Sequence, residues 1–177
     1  TKAIEKGNIW MMISFPIFGI SLILLYLAST LYHSAKDPSK RFKLKIFDHA
    51  AIYVLIAGSY TPFTLVSLNG ETGWFIFSIV WILAFTGIIL KLFFTGRFKV
   101  LSTAMYVLMG WLIIFYFKEL TANLHSDGVF YLILGGVFYT IGAVLYSIKK
   151  IKFNHAIFHV FVLGGSFCHF LSVYLYI

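Results

Sequence analysis

The sequence predicts an all-α fold, a polytopic transmembrane helix bundle, on three observations. Of its 177 residues, 60% are hydrophobic and 20% aromatic, while only 11% are charged. Soluble domains carry about 25% charged residues, so a water-exposed globule of this size could not cover its surface. The apolar residues also fall in continuous runs close to the roughly 20 residues that a helix needs to cross a bilayer. Those runs lack the alternation of barrel strands and are about twice their length. With 3 Pro and 14 Gly in no regular period, collagen-like structure and disorder are excluded too.

Six spans are expected in chain order. The first, Ile9–His33, is too long for the apolar core of a cleavable signal peptide. The second, Asp48–Ser67, contains Ala57-Gly58-Ser59, small residues that let helices approach closely. It also contains Pro62, which should kink it, with Ser59 and Thr61 able to occupy the freed backbone groups. The third, Trp74–Leu90, is the shortest and extends to Phe94 past Lys91, whose amine can snorkel to the interface. The fourth is Val100–Phe117, the fifth Val129–Ser147 with Gly135-Gly136, and the sixth His155–Ile177 with Gly164-Gly165. Residues 1–177 are thus expected to form a single transmembrane helical domain. The one cysteine, Cys168, lies deep in the last run and reads as a small hydrophobe.

The net charge of +8 is explained by topology. If the spans alternate, Lys36, Lys40, Arg41, Lys43, Lys45, Lys91, Arg97, Lys99, Lys149, Lys150 and Lys152 fall on one side, against Lys2, Lys6 and Lys118 on the other. Such a bias places the basic loops in the cytoplasm, facing anionic lipid heads. The expected setting is a membrane, with the C-terminus external and no nucleic-acid partner.

Ionisable groups inside a span are costly and mark function by default. Four of them converge on one depth near the cytoplasmic end: His33 closes the first span, Asp48 opens the second, and His155 and His159 open the last. His155 and His159 share a helix face, being four residues apart. Two such imidazoles can bind one metal ion, and His33 would supply a third nitrogen. Three protein nitrogens with one open position is the arrangement of catalytic zinc sites, although imidazole also suits copper, iron and nickel. Asp48 would orient or deprotonate the water at such a site. Ser29, one turn before His33, could donate to the histidine, the water or a developing oxyanion.

Other ionisable groups weigh less. His49 is turned about 100° from Asp48 and reads as interfacial. His169 lies about 21 Å along the axis from His155, too far for the same ion, and reads as a packed histidine bonded across helices. His125 reads as a solvated loop residue. The spacing of His155 and His169 resembles haem-binding helices, but a second helix with a matching pair is lacking. A retinal Schiff base is excluded because the last span has no Lys.

Three stretches carry a resemblance: Ser29-Thr-Leu-Tyr-His33, the run Phe47-Asp48-His-Ala-Ala-Ile-Tyr-Val-Leu-Ile-Ala-Gly-Ser-Tyr-Thr-Pro-Phe63, and His155-Ala-Ile-Phe-His159 with the residues up to Phe170. In order and spacing they resemble the hemolysin III branch of the progestin and adipoQ receptor family, which includes the adiponectin receptors. The resemblance implies zinc held by His33, His155 and His159, an aspartate beside the site's water at Asp48, and a serine at Ser29. It also implies seven spans, so the family's first helix is expected beyond the six found here.

Three functions compete. Wider relatives resemble ceramidases, which suggests a zinc hydrolase of a lipid amide or ester. A non-enzymatic sensor of membrane lipid with a structural zinc is the alternative. In both, a membrane lipid or fatty-acid-like ligand would occupy the bundle cavity. Pore formation has least support, since the intramembrane polar groups cluster at one end rather than lining a path.

Overall fold

The computed structural model describes residues 7–95 and 99–177, with side chains from Leu101 onward in the second stretch. Lys2, Glu5, Lys6 and Arg97, and the side chain of Lys99, lie outside the described residues. Among the described residues all regular structure is helical, with no strand, and six helices are long and apolar enough to cross a membrane. The fold class is therefore the all-helical, multi-span one that the composition predicts. Two compact units divide the chain, Thr1–Phe98 and Lys99–Ile177.

In the first unit, α1 (Ile9–Ser34) is followed by α2 (Pro38–Pro62), a π-helical turn (Phe63–Leu68) and α3 (Gly70–Phe94). The α1 helix buries Met11, Ser14, Phe18, Ser21, Leu25 and Ala28, a run of alternating three- and four-residue steps that makes one straight seam. Large and small residues alternate along that seam, so the facing helix can interlock with it. The facing helix is α2, which also contacts α3. The most apolar part of α2 is 67% buried, against 33% for α1 and 28% for α3, so α2 is the core helix of this unit.

The α2 helix starts ten residues before the apolar run that marks it in the sequence. Asp37 caps it by accepting from the Lys40 amide at 2.8 Å, and Pro38 occupies the first turn, where its missing N–H costs nothing. Lys40–Lys45 are consequently helical. Beyond Pro62 the chain passes into the π-helical turn, closed by the Asn69 amide donating to the Thr64 carbonyl at 3.0 Å. Thr61 and Ser59 do donate to backbone carbonyls, to those of Ala57 and Ile56, both at 2.8 Å.

Two close approaches hold the unit. A Cβ on Gly87 of α3 would collide with the Tyr53 ring of α2, and one on Gly58 of α2 would sit 2.6 Å from the Ser21 Cβ of α1. Gly58→Ala is therefore expected to destabilise the protein by about 1–3 kcal/mol. Adding Ser21→Gly should restore most of that loss, whereas Ser21→Ala, which keeps the offending Cβ, should not. Denaturant unfolding in detergent micelles checks both.

In the second unit, α4 (Lys99–Gly110) runs into a 3₁₀ segment (Leu112–Tyr116) and α5 (Phe117–Asn123), followed by α6 (Ser126–Ser147) and α7 (Asn154–Tyr176). The fourth span is thus a broken helix reaching Asn123. Trp111 marks the break and is held by α6: its indole donates to Thr140 at 2.9 Å and its ring lies over Gly136. The α6 and α7 helices pack closely and antiparallel. Gly128, Gly135 and Gly142 recur every seven residues on the buried face of α6. The Ser172 hydroxyl donates to the Gly128 carbonyl at 2.7 Å, and Gly135 lies against Gly165.

Candidate metal centre

In the first unit the structure brings together Ser29, His33 and Asp48. Asp48 is buried on α2, where its carboxylate accepts a hydrogen bond from the Ser29 hydroxyl and faces the His33 imidazole, both on α1. Only three residues link α1 to α2, so the last turn of one helix necessarily lies beside the early turns of the next. Arg41 also reaches back over the Tyr32 ring at 5.5 Å, and Tyr32 lies against His33 with ring centroids 4.7 Å apart.

In the second unit His155 and His159 lie on the first turns of α7 with their rings stacked, centroids 4.8 Å apart and planes 22° from parallel. Tyr146, near the end of α6, meets His155 edge-on at 5.4 Å, and Phe158 packs against both Tyr146 and His159. The turn is tied by Asn154, whose side chain donates to the Tyr146 carbonyl at 3.0 Å. Immediately before it, Phe153 takes a left-handed conformation, φ 59°, a strained state for a bulky residue. The sequence gives no direct sign of Tyr146 as a support of the pair. The short α6–α7 connection is the signal that could have found Tyr146, since it sets the end of one helix beside the start of the next.

The chemistry of the donors suits a transition metal. A ring nitrogen of His155 and one of His159 lie within 4.8 Å of each other. Two nitrogens bound tetrahedrally to one zinc at 2.0–2.1 Å would be about 3.4 Å apart, within reach of side-chain rotation. His33, in the first unit, offers a further imidazole, a ligand type that suits zinc, copper, iron and nickel.

The remaining ionisable residues are placed elsewhere. His49 is bonded through Nδ1 to the Lys45 carbonyl at 2.8 Å, with Asp48 at 3.7 Å. His169 is buried in the interface of α6 and α7, its Nε2 on the Leu132 carbonyl at 3.3 Å and its ring edge-on to Tyr139. His125 caps α6 and stacks on Tyr176. Cys168 is buried. Lys91, which snorkelling would place at the surface, is 5% exposed.

The profile of the family described as "Haemolysin-III related" matches residues 2–170. The chain is 51% identical over 174 residues to the "Hemolysin-3 homolog" of Bacillus subtilis (strain 168), covering 98% of this chain and 82% of that protein. It is 47% identical over 175 residues to "Hemolysin-3" of Bacillus cereus, covering 99% and 80%. It is more distantly similar to the human "Monocyte to macrophage differentiation factor", at 29% identity over 185 residues, covering 97% and 74%.

Proposed function

This integral membrane protein belongs to the haemolysin-III related family, and from that premise we propose that it is a zinc-dependent hydrolase of a membrane-lipid amide or ester. The observation that carries the reading is the buried Asp48 carboxylate, hydrogen-bonded by Ser29 and facing His33 inside a membrane-spanning segment. A carboxylate is too costly there to be retained for packing alone. The same grouping supplies a proton acceptor and a hydrogen-bond donor.

Zinc is held by His33, His155 and His159 in this reading, and when bound it supplies a Lewis acid that polarises a carbonyl oxygen and activates water. Asp48 takes the proton from the attacking water and returns it to the leaving amine or alcohol. While Asp48 is ionised the Ser29 hydroxyl is engaged in orienting it. Once Asp48 holds the proton, that hydroxyl is free to turn toward the oxyanion formed on the substrate carbonyl. The lipid enters from the membrane with its carbonyl at the depth of Asp48. The protein is oriented with its basic end toward the cytoplasm of a bacterial cell.

The packing of Tyr146 and Phe158 around His155 and His159 favours a second reading, a zinc that clips helices together in a lipid sensor. One experiment separates the two. Purified zinc-loaded protein is incubated with a panel of lipid amides and esters, and fatty acid release is followed by mass spectrometry. Hydrolysis predicts release that falls about 10²–10⁴-fold on Asp48→Asn with zinc content unchanged. Zinc-dependent thermal stability with no release from any lipid would leave the structural clip.

A further inference from the structure

The first turns of α2 carry Arg41, whose guanidinium carbon lies 5.5 Å from the centroid of the Tyr32 ring on α1. Tyr32 in turn lies against His33, ring centroids 4.7 Å apart. A guanidinium over an aromatic ring still presents N–H donors in a rigid fork. Among the described residues no carboxylate takes those donors: the ion pairs join His49 to Asp48 and His125 to Asp127. Arg41 precedes Asp48 by seven residues, about 20° short of two full turns, so both project from nearly the same face of α2. Along the axis Arg41 is about 10 Å nearer the helix start. Asp48 is buried, whereas Arg41 and its neighbour Phe42 are exposed. A cation beside an exposed aromatic at the end of a span is the composition of the membrane interface, where headgroups lie.

An arginine on the same face as a buried carboxylate would ordinarily be drawn to it. The Tyr32 ring holds the guanidinium instead, which leaves its charge uncompensated at headgroup depth. The fork matches two oxygens of one phosphate at once, in charge-assisted hydrogen bonds. We propose that Arg41 binds the phosphate of a lipid headgroup and so makes a phosphate-bearing lipid the substrate class of the site at Asp48. In such lipids a short glycerol or sphingoid linkage separates the phosphate from the acyl carbonyl. With the phosphate on Arg41, that linkage runs along the shared face of α2 and brings the carbonyl toward the depth of Asp48. A phosphate-free lipid lacks this anchor. The inference rests on the hydrolase reading for the fate of the lipid, but the binding step is measurable without turnover.

The test uses the full chain in neutral detergent, with native mass spectrometry counting retained lipid. Phosphatidic acid is compared with diacylglycerol of the same acyl chains, with inorganic phosphate as a soluble competitor. The wild type should retain phosphatidic acid at least tenfold more tightly, and millimolar inorganic phosphate should not displace it. Arg41→Gln should weaken that retention about tenfold, and Arg41→Lys should recover only part of it, because an ammonium lacks the fork. Tyr32→Leu, which removes the ring under the guanidinium, should weaken it about threefold. Lys40→Gln removes the same charge from the adjacent exposed position and should leave retention unchanged. Equal retention of the two lipids, wild-type retention in Arg41→Gln, an equal loss in Lys40→Gln, or displacement by inorganic phosphate would each overturn the proposal. Fatty acid release from phosphatidic acid is followed in the same samples, and Arg41→Gln should raise its KM about tenfold while diacylglycerol kinetics stay unchanged. Release that is the same in wild type and Arg41→Gln for both lipids would overturn the proposal and leave the hydrolase reading. Retention that depends on Arg41, with no release from any lipid, would remove the hydrolase reading and leave the phosphate site standing.

Discussion

Replacing both imidazoles of the last helix, His155→Ala with His159→Ala, is expected to reduce zinc from about one ion per chain to a background level, because a site left with one protein nitrogen falls below the three that hold even an open zinc centre. His33→Ala alone should weaken binding strongly enough that metal is lost during purification. Tyr146→Ala should leave zinc bound but exchanging faster, since it removes only the ring that holds His155 edge-on. Elemental analysis of protein prepared without added metal checks all three. The same samples, melted with and without chelator, show how much of the stability depends on the ion, since binding to the folded state alone adds to its stability. A His33→Ala protein that keeps a full complement of zinc would remove His33 from the ligand set. The structural grounds would then be confined to the stacked pair on α7.

The order of helices and the polar clusters were legible in the sequence for the same reason. In hydrocarbon the backbone must satisfy its own hydrogen bonds, so a long apolar run allows little except a helix. An ionisable residue within such a run is then exceptional enough to be noticed. Ser29, His33 and Asp48 could be grouped because α1 and α2 are joined by a short link and packed side by side. The start of α2 was not legible. Its first turns carry Lys40, Arg41, Lys43 and Lys45, which read as loop by hydropathy, while the helix is set by the Asp37 cap and Pro38. The interruption at Trp111 was hidden because it depends on the Thr140 side chain of another helix. Lys91 was misjudged for a related reason. Snorkelling is a sound expectation for a lysine near a helix end, but the direction of its side chain is fixed by its place on a buried stripe. Hydropathy does not record that direction.

The adjacent glycines Gly135 and Gly136 test the packing of α6 on α7 most sharply, because the same substitution should have opposite outcomes at neighbouring positions. A Cβ on Gly135 would collide with the His169 ring and lie 3.0 Å from the Gly165 carbonyl oxygen. Neither neighbour can yield cheaply. The His169 ring is buried, bonded to the Leu132 carbonyl and flanked by Tyr139, and the Gly165 oxygen belongs to the α7 backbone. Gly135→Ala is therefore expected to cost about 1–3 kcal/mol, and Gly135→Leu should prevent the two helices from pairing. A Cβ on Gly136 would meet the Trp111 ring at 3.4 Å or more, ordinary contact distance. Gly136→Ala should be neutral, or stabilising by about 0.5–1 kcal/mol through helix propensity. Unfolding of the two variants side by side in the same detergent gives the comparison. If both glycines behaved alike, the seven-residue glycine seam could not be what sets the α6–α7 distance. His169 would then owe its buried seat to something other than the space left by the absent side chain opposite it.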